Sequence, residues 1–328
     1  MTPLSVEPAG WRKIFWGPLG LRSGWRIVLF LVCAVVLLVV HQLVATAVLG
    51  PQWFDQTGPR LLIFSGTYLF PAVLLSWVFM RFVDGAPLVE LGFGGGVFRA
   101  LGEGVGGALM GLVLIAASVA LVPMLGGTVS LDWESLRLGA LLGWSAVFLV
   151  AASWEEVIFR GYIFQWAGRG MGWVMATLVL SGGFGLAHGA NPNVTPMGLL
   201  NIALAGVLLS LAYLATGRLW LAMGLHWGWN AAQALVFGIP VSGLVDDEGV
   251  LPVLMRSTFE GPQWVTGGRF GFEGSVVASV SLAVGSAALM PWVWKRLRAG
   301  ASSDELGPGG SGEPGDDQGA RPGTTLTT

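Results

Sequence analysis

The sequence predicts an all-α fold, a polytopic transmembrane helical bundle with about eight spanning helices. Three observations carry that expectation. The chain has 328 residues, 54% hydrophobic and only 11% charged, with a mean hydropathy of +0.70. Soluble domains carry about 25% charged residues, so charge this sparse cannot coat a water-facing surface. Apolar runs of about 20 residues, the length that crosses a bilayer, recur along the chain. Lys and Arg also divide unevenly between alternate connections.

The apolar runs lie near residues 26–49, 60–82, 104–126, 136–160, 173–190, 197–216, 218–239 and 275–294. The first follows Arg12, Lys13, Arg22 and Arg26 and is too long for a cleaved signal peptide. Residues 1–25 then read as a cytoplasmic N-terminal segment, and 26–298 as the bundle, with a core at about 136–239. A loop at about 240–274, carrying Asp246, Asp247, Glu248, Glu260 and Glu273, reads as external. From 299 to 328 the chain is mostly Gly, Pro, Ser, Asp and Thr, the composition of a disordered tail. A cytoplasmic N-terminus puts 13 Lys and Arg inside and leaves four outside: Arg60, Arg137, Arg256 and Arg269. That asymmetry predicts a multi-pass protein of the cell membrane with both termini cytoplasmic.

Composition also excludes. The net charge is −2 with no basic patch, so the lipid bilayer is the expected partner and nucleic acid is not. The single cysteine, Cys33, rules out a disulfide framework and a thiolate metal site. No internal repeat of the inverted-repeat transporter kind is present. Trp11, Trp16, Trp25, Trp53 and Trp292 fall near expected span ends, as interfacial tryptophans do, while Trp154, Trp227 and Trp229 sit beside polar residues.

Chemistry concentrates in three segments. A glutamate pair, Glu155-Glu156, interrupts an apolar stretch whose only earlier charge is Arg137. Carboxylates at membrane depth cost roughly 2.5–3.5 kcal/mol each and are usually paired and functional. Glu156 and Arg160, at i and i+4, share a helix face and can pair. Glu155 is rotated by about 100° and left free for chemistry. The alternative is a wholly structural ion-pair cluster at a helix end. In Phe184-Gly-Leu-Ala-His188 the ring can pack against the imidazole, with Gly182, Gly183 and Gly185 admitting a neighbouring backbone and Asn191-Pro192 ending or bending the helix. A lone histidine here more often packs than catalyses. In His226-Trp-Gly-Trp-Asn230 an imidazole and an amide share a face beside the small residues Gly224 and Gly228. They can hold a metal, a water or an oxyanion, or bond across a helix interface.

Other matches are read as structural. Gly102-Glu-Gly-Val-Gly106-Gly107 satisfies a dinucleotide fingerprint but opens a membrane helix and follows no strand. Gly107-x3-Gly111 and Gly139-x3-Gly143 read as helix contacts, and His41 as a packing or hydrogen-bonding residue.

The order Glu-Glu-x3-Arg, Phe-x3-His, His-x3-Asn, on three apolar helices, resembles the CPBP intramembrane protease family, which contains the type II CAAX prenyl endopeptidases and the bacterial Abi-type proteins. The resemblance covers about 136–239 and makes that region a protease core. It implies an intramembrane endopeptidase in which Glu155 is the general base and His188 helps hold and activate the water. It further implies that His226 and Asn230 stabilise the oxyanion and that Glu156 with Arg160 orients the acid helix. The expected substrate is a peptide or membrane-protein segment, including a prenylated C-terminus or a bacteriocin-like peptide. No cofactor is favoured; a zinc version would use Glu155, His188 and His226. The reading from another class is a non-enzymatic membrane protein, either an immunity-like scaffold or a transporter. Strict alternation of spans sets His188 apart in depth from Glu155 and His226. An acid helix prolonged toward Trp166, through Ile163 and Phe164, would bring Glu155 to mid-depth.

Overall fold

Backbone polar groups within a bilayer must be satisfied internally, which long apolar segments achieve as helices. The computed structural model describes residues 12–17, 20–50, 59–247 and 249–301, and all eight apolar runs are helical in it. Trp11, Trp53 and the tail from residue 302 onward lie outside the described residues.

The first span, α1 (Ser23–Leu49), has no Asp, Glu, Lys or Arg after Arg26 and stops at Gly50, whose φ is +85°. Arg26 anchors it to the bundle by an ion pair with Asp84 and by stacking 4.0 Å over the Trp166 ring. The span Leu62–Asp84 contains α2 (Leu69–Val78), and Leu88–Leu125 contains α3 (Gly96–Leu121). The fourth span, Leu138–Met171, is a composite of 34 residues. It joins α4 (Leu138–Glu156), a π-helical stretch over Val157–Tyr162 and α5 (Ile163–Met171). The expected extension toward Trp166 is therefore present, and Glu155 lies near the middle of the composite. After α6 (Trp173–Ala187) come α7 (Pro196–Thr216), α8 (Leu219–Ala231) and finally α9 (Val276–Ala301). Thr195 caps α7 by accepting a hydrogen bond from Gly198 N at 3.0 Å, and Pro196 occupies its first turn.

Six helices among the described residues are long and apolar enough to cross a membrane, fewer than the eight expected. The other two are α6, 15 residues long, and α8, 13 residues long before it passes into a π-helical stretch over Ala232–Val236. Turns ahead of Asn191 cut α6 off after Ala187, and α8 starts only after the Gly217 turn.

The most extensive helix pairing joins α3 to α8, and glycine makes it. A Cβ at Gly107 would lie 2.4 Å from Leu221 O, and one at Gly111 2.4 Å from Trp229 N. Facing them, a Cβ at Gly224 would meet Gly104 O at 2.1 Å and one at Gly228 would meet Ala108 O at 2.2 Å. These contacts are backbone to backbone, and they hold the His226 helix rigidly. Gly139 and Gly143 carry the same spacing but have no neighbour within 4 Å, so that pair is not the helix contact expected of it. Gly182 and Gly183 are likewise open, and only Gly185 of its trio approaches a neighbour, with Leu199 O at 2.8 Å. Gly111→Ala is expected to destabilise by about 1–3 kcal/mol through overpacking, and Gly143→Ala to leave stability unchanged or raised. Thermal unfolding of the two variants in detergent reads the contrast. Equal shifts would contradict the seam.

Two strands that the sequence did not suggest tie distant segments together. β1 (Thr128–Trp133) pairs antiparallel with β2 (Met255–Glu260), in register from Thr128 opposite Glu260 to Trp133 opposite Met255. In β2, Met255, Ser257 and Phe259 face inward and alternate with exposed residues. The loop at 240–274 is thus built into the bundle, with Val265, Phe270 and Phe272 fully buried.

Candidate active site

The polar cluster forms where α4 passes into its π-helical stretch. A π turn widens the helix by one residue and is frequent at functional sites. Here it spans Val157–Tyr162, beginning directly after the two glutamates, and includes non-helical torsions at Gly161 (φ −76°, ψ −109°).

Glu156 is completely buried. Its Oε1 accepts hydrogen bonds from Arg160 Nη1 at 3.0 Å and from His226 Nδ1 at 2.8 Å. Arg160, 2% exposed, also donates from Nη2 to Gly206 O at 3.2 Å, which pins α7 to the cluster. Glu156 and Arg160 thus pair as the i, i+4 spacing implies. The carboxylate, however, also orients an imidazole on another helix, a role beyond the expected one of orienting its own helix.

Phe184 does more than fix its neighbour. Its ring stands 4.8 Å from the His188 ring and 6.1 Å from that of His226, edge-on to both. The Arg160 guanidinium lies 4.4 Å over the same ring. One aromatic side chain therefore packs against all three cationic or potentially cationic groups.

His188 follows the last residue of α6 as its C-cap. Its Nδ1 lies 2.8 Å from Phe184 O. A carbonyl only accepts, so Nδ1 carries the hydrogen and Nε2 keeps a lone pair in the neutral ring. That Nε2 is 3.9 Å from Glu155 Oε2. His226, committed through Nδ1 to Glu156, turns its Nε2 to 4.0 Å from the same Glu155 oxygen. Glu155 Oε2 is buried and has no hydrogen-bond partner among the described residues. The spacing suits a bridging water, because direct hydrogen bonds end near about 3.2 Å.

Asn230 makes no side-chain hydrogen bond among the described residues and lines a cavity of ≈ 40 Å³ together with His188 and His226. All five residues singled out for catalysis, Glu155, Glu156, His188, His226 and Asn230, are therefore gathered in one place, with Arg160 and Phe184 packed among them. Trp229 faces the same cavity, whereas Trp227 donates to Ser145 O at 2.9 Å on α4. Trp154 packs edge-on against Tyr68 at 5.3 Å. His41 bonds Thr67 Oγ1 at 2.8 Å, far in sequence from the cluster and in the structural role expected of it.

Two residues of this cavity, Ser242 and Glu273, carried no signal of function in the sequence. Both lie in the 240–274 loop, among glycines and other acids, and only the folding of that loop into the bundle brings them to the histidines.

The residues proposed for zinc do not form a ready ligand set. A tetrahedral ion with bonds of about 2.0–2.1 Å holds its ligand atoms about 3.4 Å apart, shorter than the 3.9 and 4.0 Å separations found. Among the described residues no group of three His, Cys, Asp or Glu is arranged to hold a metal.

In comparison with known protein families, residues 137–232 match the family model described as type II CAAX prenyl endopeptidase Rce1-like. Neither the curated proteins nor the solved structures yield a match to the chain.

Proposed function

We propose that this chain, whose site-bearing core over residues 137–232 matches the type II CAAX prenyl endopeptidase family model, is a glutamate- and histidine-based intramembrane endopeptidase. The observation that carries the proposal is one unpaired carboxylate oxygen facing two imidazole Nε2 atoms at 3.9 and 4.0 Å.

A water held among these three atoms donates one hydrogen to Glu155 Oε2 and the other to the lone pair of His188 Nε2. As the substrate carbonyl is attacked, Glu155 takes the proton and the developing hydroxide forms the new C–O bond. Negative charge moves to the carbonyl oxygen, where the donors are the Asn230 amide and Nε2–H of a protonated His226, whose Nδ1–H is held by the Glu156 carboxylate. Such donors act strongly because they are fixed before the reaction begins. His226 is fixed by Glu156, Glu156 by Arg160, and Arg160 by Gly206 and Phe184. Collapse of the tetrahedral intermediate breaks the C–N bond, and the proton held by Glu155 passes to the leaving amine. No metal takes part in this scheme. Stoichiometric zinc by elemental analysis, with loss of cleavage on chelation, would replace it with the zinc version.

The substrate in this reading is a peptide or membrane-protein segment, a prenylated C-terminus and a bacteriocin-like peptide being the two classes to try first. Both termini are placed in the cytoplasm of a cell-membrane protein, following the Lys and Arg asymmetry. Cleavage of quenched and prenylated peptides by the full chain in proteoliposomes tests the proposal. Asn230→Ala is expected to lower kcat by about 10²–10³-fold with little change in KM, the loss typical of one oxyanion donor. His188→Ala is expected to lose at least as much. Rates equal to wild type in both variants would favour the non-enzymatic scaffold.

A further inference from the structure

Glu273 is 4% exposed, sits in the turn just before α9 and shares the ≈ 40 Å³ cavity with His188, His226 and Asn230. The turn is rigid. Gly271, at φ +89°, brings it so close to Pro240 O that any Cβ would collide. Asn201 Nδ2 donates to the carbonyls of Glu273 and Ser275, at 2.7 Å each. The carboxyl itself is surrounded by donors: Gln233 Nε2 at 2.6 Å from Oε2, Ser242 Oγ at 3.4 Å from Oε1, and the Trp229 side chain. Among the described residues it has no Arg, Lys or His partner. Burial, the largest effect, leaves its proton affinity raised above that of an ordinary carboxylate, and the hydrogen bonds from Gln233, Ser242 and Trp229 offset it only in part. A carboxyl buried without a counter-ion therefore keeps its proton until a positive charge arrives, and a cation entering the cavity favours the ionised form. Each water needs about 10–15 Å³ of such space, so the cavity takes about three waters or the end of one side chain. Its remaining walls are apolar, with Leu209 and Leu225 among them.

We propose that this cavity is a substrate side-chain subsite for a lysine- or arginine-like cation, with Glu273 and Ser242 as its acceptors and the leucines packing the aliphatic stem. The inference rests on the protease reading and adds a specificity to it: cleavage beside a basic residue. The long stem of such a side chain suits apolar walls, and its cationic end forms charge-assisted hydrogen bonds with a carboxylate.

The test exposes a proteome-derived peptide mixture to the full chain in proteoliposomes and maps cleavage sites by mass spectrometry. Wild type is expected to show Lys and Arg enriched at one fixed position near the cut. Glu273→Gln keeps the acceptor for Gln233 but removes the charge. It is expected to reduce that enrichment by about tenfold to a hundredfold, read as a ratio among sites and so independent of total activity. No basic preference in wild type, or the same preference in Glu273→Gln, overturns the subsite while leaving the protease reading standing. If wild type cleaves no better than Glu155→Gln, the protease reading fails, and binding then judges the subsite. n-Butylammonium chloride should raise the thermal midpoint of wild type above that seen with equal sodium chloride. The same salt should give no such rise in Glu273→Gln. Equal shifts in the two proteins overturn the inference.

Discussion

Glu155→Gln is expected to abolish peptide cleavage while leaving the fold intact. Gln has the shape of Glu, and Glu155 Oε2 makes no hydrogen bond among the described residues that the substitution would break. What disappears is the capacity to take a proton from water, an effect of roughly 10²–10⁴-fold for a positioned general base. The amide also places a neutral group beside two imidazoles at 3.9 and 4.0 Å, where the carboxylate would stabilise their protonated forms. Initial rates on a quenched peptide, with thermal unfolding in parallel, make the measurement. Retained cleavage in Glu155→Gln would remove this residue from the chemistry.

Arg160→Ala should show the opposite pattern, a loss of stability first and of activity with it. Among the described residues the guanidinium is the only cation bonded to Glu156 besides the His226 imidazole, and both members of the ion pair are cut off from solvent. Removing one partner of a buried pair typically costs about 3–5 kcal/mol, because the other charge is left uncompensated. The same change deprives Gly206 O of its donor and empties the face of Phe184. Combining Arg160→Met with Glu156→Gln should recover much of the lost stability, since neither a bare charge nor a large hole remains. Cleavage should stay low in the double variant, because a neutral amide would then hold the His226 imidazole where the carboxylate now does. An unfolding free energy within about 1 kcal/mol of wild type for Arg160→Ala would show that the ion pair is peripheral.

The sequence made the acids and imidazoles legible because polar groups in apolar helices are expensive and therefore few. Helical spacing then correctly paired Glu156 with Arg160 and Phe184 with His188. The bond from His226 to Glu156 joins residues 70 apart, and no local pattern announces such a contact. Glycine spacing was equally blind to surroundings. Gly107-x3-Gly111 and Gly139-x3-Gly143 look alike as strings, yet one pair meets a facing backbone and the other meets nothing within 4 Å. The β1–β2 pairing and Glu273 were hidden for a related reason. Their segments are short, rich in glycine and charge, and acquire meaning only from partners far along the chain.

That ribbon has a temporal consequence. Thr128 cannot find Glu260 until more than a hundred further residues have left the ribosome. Chains are made at about 5–20 residues per second, and early segments settle first. The nascent protein consequently spends several seconds with the histidines and glutamates of the cluster already synthesised but the segment carrying Glu273 still unmade. In the proposed reading, the residue that would select the substrate is thus made only after those that would cleave it.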